Sequence, residues 1–199
     1  MTLMAERPTI NSTEPPSFED LLNDLDRLDV LDGYKAEIIK KSIVMSPWPK
    51  GYYIRVMNLV CRQLQAHLPE DHFISQTPNL FVFPGVERAY GPDIHAAHEQ
   101  TLETASNRLD GEALSFVAEL TSSATRDNDL TDKVEMYARA GVPVYLILDM
   151  QEQKATVLWE PAAQGYRARC SMPFGEKIDI PAPFSCPLDT TGFQAPPGT

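Results

Sequence analysis

The sequence predicts an α/β (α+β) domain: a mixed sheet core flanked by helices, with a C-terminal β-hairpin. Three observations predict it. Segments with helical spacing of apolar residues alternate with short apolar runs of strand length. Two of those runs, "ALSFVAELT" and "VPVYLILDM", lack strict alternation, as central strands covered on both faces do. Between them lies "DLTDKVEMYARAG", a helical segment, so about 114–149 reads as a strand–helix–strand parallel crossover.

Residues 1–16 are polar and proline-bearing, which predicts a loose N-terminal arm. "SFEDLLNDLDRLDVL" spaces Phe18, Leu21, Leu22, Leu25 and Leu28 as a helix, with Ser17 as N-cap. "DGYKAEIIKKSIVMSP" reads as one or two strands ending at Pro47. "YYIRVMNLVCRQLQAHL" is an amphipathic helix closed by Pro69. "HFISQTPNLFVF" supplies one or two strands, and "YGPDIHAAH" a short one after a proline. The helix before "VPVYLILDM" ends at Gly141, a natural residue just past a helix C-terminus. "KATVLWEP" and "GYRARCSM" form the hairpin, and "EKIDIPAP" a short edge strand. The expected organisation is one domain over 17–193 with a flexible tail at 194–199.

The chain has 199 residues, 43% hydrophobic and 23% charged, ordinary for a globular protein with one sizeable core. No apolar run approaches the roughly 18 residues of a membrane span. The start "MTLMAERPTINSTEPPSFED" lacks a basic stretch followed by an apolar one, so no secretory signal is expected. Cys61, Cys170 and Cys186 are far apart, which fits reduced thiols in the cytoplasm better than a zinc site or disulfide framework. The formal net charge is −11. That counts against a simple nucleic-acid binder, which needs Lys and Arg for phosphate. It does not exclude a nuclease, because clustered carboxylates hold metal ions that neutralise phosphate locally.

Four residues stand out. In "FVAELT", Val117, Glu119 and Thr121 share one strand face, so Glu119 is an acid where a core residue belongs. A buried carboxylate needs a cation, either in an ion pair or as a metal, unless the strand end reaches solvent. Asp93, beside Pro92, precedes the apolar "IHAA"; if its strand neighbours "FVAEL", the two carboxylates converge. Hard oxygen ligands of this kind suit Mg²⁺ or Mn²⁺. Lys133 shares a helix face with Asp129 and Tyr137 by i, i+4 spacing, either lowered onto the strand acids or paired on a solvated face. Glu37 can reach the same place from the first strand, or face solvent.

The combination resembles the Uma-two family of restriction endonucleases, within the PD-(D/E)XK nuclease superfamily. The matching segments are "AEIIKKSIVMSP", "YGPDIHAA", "LSFVAELTSSATRDNDLTDKVEMYARAGVPVYLILD" and "EKIDIPAPFSCPLDTTGF". The resemblance implies a restriction-endonuclease-like fold and Mg²⁺- or Mn²⁺-dependent hydrolysis of phosphodiester bonds in DNA. It implies that Asp93 and Glu119 are the metal ligands and Lys133 the catalytic cation. Glu37 matches the family's early acid, and a homodimer is the assembly the superfamily suggests. Two departures accompany it. Thr121 stands where the commoner superfamily pattern has its lysine. "WPKGYYIRVMN" lacks the family's usual histidine, with Tyr52 or Tyr53 in that neighbourhood. Together with the net charge, they keep open a second class: a weak or inactive nuclease fold acting as a binding or scaffold protein. A small-molecule enzyme has no support, since there is no glycine-rich phosphate loop, G-x-S-x-G or H-E-x-x-H.

Overall fold

The computed structural model describes residues 3–4, 15–76, 79–123 and 125–195 of the chain. Most of the expected arm and much of the expected tail lie outside these residues. Within the arm, Leu3–Met4 form a short strand, β1. Helix α1 (Phe18–Arg27) opens on a capping box, as the Ser17 and Asp20 pattern requires: Ser17 Oγ accepts from the Asp20 N–H at 3.1 Å and Asp20 accepts from the Ser17 N–H at 3.0 Å. Strands β2 (Tyr34–Ile39) and β3 (Ser42–Pro47) form a hairpin. Its turn residues Lys40 and Lys41 have φ of 48° and 61°. A turn of that hand usually announces itself as Asn-Gly, so two lysines hid the division into two strands.

Helix α2 (Gly51–Leu64) is followed by β4 (His72–Ser75), β5 (Leu80–Phe83), β6 (Arg88–Tyr90), β7 (Ile94–His98) and β8 (Arg108–Asp110). Then come β9 (Leu114–Leu120), helices α3 (Arg126–Leu130) and α4 (Asp132–Arg139), and β10 (Val144–Asp149). The expected single helix is thus two. Thr131, at φ −127° and ψ −79°, breaks it. The hairpin β11 (Lys154–Ala162) and β12 (Gly165–Pro173) follows, then β13 (Lys177–Ile180) paired with β14 (Cys186–Asp189).

The expected mixed sheet is two six-stranded sheets. One runs β1-β3-β2-β6-β5-β8, the other β12-β11-β10-β9-β7-β4. Three-residue strands such as β6 and β8 carry too little periodicity to read. In the second sheet β9 and β10 are parallel, with Glu119 opposite Ile147, and β7 lies antiparallel to β9 with Ile94 opposite Ala118. This register brings the residue before β7, Asp93, to the end of β9.

Both faces of the second sheet are covered, which explains its unbroken apolar strands. Phe116, Ala118 and Leu120 belong to a core with Val56, Val60 and Leu64 of α2. Val117, on the opposite face, belongs to a core with Phe81 and Phe83 of the first sheet and Tyr137 of α4. Glu119 faces this second side.

Candidate active site

Glu119 is only 2% exposed. Lys133, at the start of α4, reaches it: Nζ donates to Glu119 Oε1 at 2.8 Å. The Tyr137 hydroxyl donates to the same oxygen at 3.2 Å. Both donors fall on Oε1. Tyr137 also packs its ring against Phe83, Tyr90 and Tyr145, so it joins site and core.

Lys133 serves three acids. Its Nζ lies 3.1 Å from Asp129 Oδ1 and 3.5 Å from Glu37 Oε1, and all three partners are as buried as the lysine. The Asp129–Lys133 pair is therefore not on a solvated face. Asp129 Oδ1, despite this ion pair, has no well-aligned hydrogen bond among the described residues. Glu37 accepts from the Gly91 N–H at 2.9 Å, so Glu37 and the loop before Asp93 are tied together.

Asp93 is fixed by two donors. The Leu120 N–H reaches Oδ2 at 2.9 Å and Lys35 Nζ reaches Oδ1 at 3.2 Å; Lys35 also donates to the Gly91 carbonyl at 2.7 Å. Asp93, Glu119, Asp129, Lys35 and Lys133 all line one cavity of about 230 Å³. Thr121 does not take part in this group. Its hydroxyl donates to Asp149 Oδ1 at 3.2 Å and accepts from the Met150 N–H, anchoring the end of β10. Tyr53 occupies the neighbourhood of the absent histidine, and its hydroxyl donates to the Thr121 carbonyl at 2.9 Å.

The electrostatics follow from burial and charge count. Four carboxylates (Glu37, Asp93, Glu119, Asp129) face two ammonium groups (Lys35, Lys133), leaving two surplus negative charges when all are ionised. Burial, aided by the charges of Asp93 and Asp129, pushes Glu119 up to about 8 against the pull of Lys133. Burial likewise raises Asp129. For Glu37 burial acts upward too, but Lys133, Lys35 and the Gly91 N–H outweigh it and hold the carboxyl low. Burial alone would discharge Lys133; Glu119, Glu37 and Asp129 reverse that and keep it charged. A divalent cation would match the two surplus charges of the fully ionised set, and binding it would drive the proton off Glu119. Among the described residues no three His, Cys, Asp or Glu side chains form a ready metal-ligating cluster. A pair of carboxylates completed by water and phosphate oxygens is the way Mg²⁺ usually binds.

The family model described as "Uma2: Putative restriction endonuclease" matches residues 22–189. The chain belongs to the Uma2 family. No curated protein matches it. Among solved structures, the fold matches the crystal structure of "a putative nuclease belonging to DUF820" from Anabaena variabilis, with a TM-score of 0.65 at 15% identity, over 84% of this chain and 90% of that one. The fold is therefore shared at low sequence identity. Among the described residues of this Uma2 chain, no helix is long and apolar enough to cross a membrane.

All four residues singled out from the sequence, Glu37, Asp93, Glu119 and Lys133, meet around this cavity or on the lysine that lines it. Two members of its ion-pair network, Lys35 and Asp129, are not among the residues singled out from the sequence. Lys35 was detectable: it is two residues before Glu37 on one strand, so both share a face. Asp129 was read as a helix neighbour of Lys133, and no local pattern shows that both are drawn inside.

Proposed function

We propose that this chain is a metal-dependent endonuclease that hydrolyses phosphodiester bonds of DNA in the cytoplasm, with Asp93 and Glu119 holding Mg²⁺ or Mn²⁺. The observation that carries the reading is the convergence of two carboxylates, Asp93 just before β7 and Glu119 on β9, and a buried lysine on one cavity. An ion held by Asp93 and Glu119 would supply an activated water and neutralise charge on the phosphate. The protein residues do the rest. The Leu120 N–H and Lys35 hold Asp93 in one orientation. Tyr137 orients Glu119 through Oε1. Lys133, a compact charge held protonated by its acids, donates to a phosphate oxygen as negative charge builds there. Glu37 positions Lys133 and, through Gly91, the loop that carries Asp93.

One observation favours a second reading. Lys133 is 2% exposed and ringed by three acids, as in a purely structural ion cluster. In that case the fold is a scaffold or binding protein. Incubating purified protein with DNA and RNA, with Mg²⁺, Mn²⁺ or EDTA, separates the two. The nuclease reading expects metal-dependent cleavage that Glu119→Gln and Lys133→Ala abolish. Cleavage undiminished in both variants sinks it, and a wild type that binds neither ion at millimolar concentration establishes the scaffold.

A further inference from the structure

A second cavity, of about 300 Å³, adjoins the carboxylate cavity and shares Lys35, Trp48, Pro49 and Asp93 with it. Its remaining wall is mostly apolar, with Ile54 and Met57 prominent. Trp48 is 46% exposed and Ile54 45%, two large apolar side chains open to solvent beside a polar site. Paired exposure of this kind marks a binding surface more often than isolated apolar residues do.

Trp48 is held ready. It lies between Pro47 and Pro49, and a residue before proline is confined to extended backbone. Its N–H also donates to the Gly33 carbonyl at 2.8 Å. A ring presented on so stiff a segment loses little freedom on stacking. Gln76, on the same cavity wall, adds a polar pointer. Its Nε2 donates to Asn58 Oδ1 at 2.7 Å, while its Oε1 is buried with no hydrogen-bond partner among the described residues. A ligand that brings both a flat π face and an N–H edge stacks on Trp48 and, once the Gln76 amide turns its Oε1 toward the cavity, satisfies that oxygen as well.

From this geometry we infer that the second cavity takes an unpaired nucleobase neighbouring the scissile phosphate, stacked on Trp48 with an N–H edge on Gln76 Oε1. In this inference the strand enters single-stranded rather than as a duplex with one base extruded. The inference rests on the nuclease reading of the adjoining cavity. Lys35, which lines both cavities, sits where the phosphate linking that base to the scissile group passes. The net charge of −11 limits phosphate contacts to either form of nucleic acid, which leaves stacking on an aromatic ring, open to the exposed bases of a single strand, as the larger share of the affinity. DNA and RNA present the same base chemistry, and the test has an arm for each.

The test uses the full chain with Ca²⁺ present. In a Trp159→Phe background Trp48 is the single indole, so its emission reports stacking directly. The probes are eight-nucleotide thymidylate and uridylate strands, an abasic chain of equal length, and a blunt DNA duplex. At least one base-bearing single strand is expected to quench Trp48 and to bind about tenfold tighter than the abasic chain. By calorimetry, Trp48→Ala lowers affinity for that strand about tenfold, Trp48→Phe restores most of it, and the losses from removing ring and bases do not add. Fully additive losses, equal affinity for base-bearing and abasic chains, or tighter binding of the duplex overturn the inference. The same proteins are then assayed for cleavage with Mn²⁺. Metal-dependent cleavage without any dependence on bases or Trp48 removes the base site and leaves the nuclease standing. Base- and Trp48-dependent binding without metal-dependent cleavage removes the nuclease and leaves the base site.

Discussion

Lys133 Nζ stands 2.8 Å from Glu119 Oε1, with both side chains 2% exposed and fourteen residues apart in the chain. A pair so buried is retained at a desolvation cost, and breaking it leaves charge without compensation. Lys133→Met should therefore destabilise the fold by about 3–5 kcal/mol, since three acids lose their common cation. Urea denaturation checks this. A loss under about 0.5 kcal/mol would mean that the acids are solvated.

The two partners should separate in metal binding. Glu119→Ala removes one of few charged ligands, so calorimetry should find weaker Mn²⁺ binding. Lys133→Ala should retain Mn²⁺ binding or tighten it, because a cation has left a cluster of carboxylates. Equal weakening in both variants would show that Lys133 acts through the architecture of the site rather than at the phosphate.

Leu146 tests the placement of the central strands. It is fully buried in β10, opposite Ala118 of β9. Leu146→Ala should cost about 2–5 kcal/mol in a denaturant titration. A cost below about 0.5 kcal/mol would place the core elsewhere.

Asp149 carries a pH dependence. Burial acts to raise its pKa, but hydrogen bonds from Arg126, the Glu152 N–H and Thr121, with the charge of Arg126, hold the carboxyl below its usual range. The native state thus binds its proton less readily than the unfolded chain, whose aspartates titrate near about 3.9. The stabilisation is fully present above that value and is lost as pH falls through the lower native one. Asp149→Asn should flatten this acid limb in thermal melts collected from pH 6 to pH 2. An unchanged limb would show that other carboxylates set it.

Local features are legible in the chain alone. Ser17 reads as the N-cap of α1 from the residues that follow it, and the reciprocal bond from Asp20 is added by the structure. Glu119 and Thr121 share a strand face, which marked the buried acid and also the place where the usual lysine is missing. Lys133 was visible as a cation in the following helix. Tertiary structure alone decided what these residues meet. Lys35 comes to Asp93 from 58 positions away, and Glu37 to Gly91 from 54. Asp129 is buried because α3 folds over the site, and Thr121 is turned to Asp149 because β9 and β10 lie side by side. Periodicity records which face of its own strand or helix a residue occupies. Which element covers that face depends on packing between segments distant in sequence, and no local pattern carries that information.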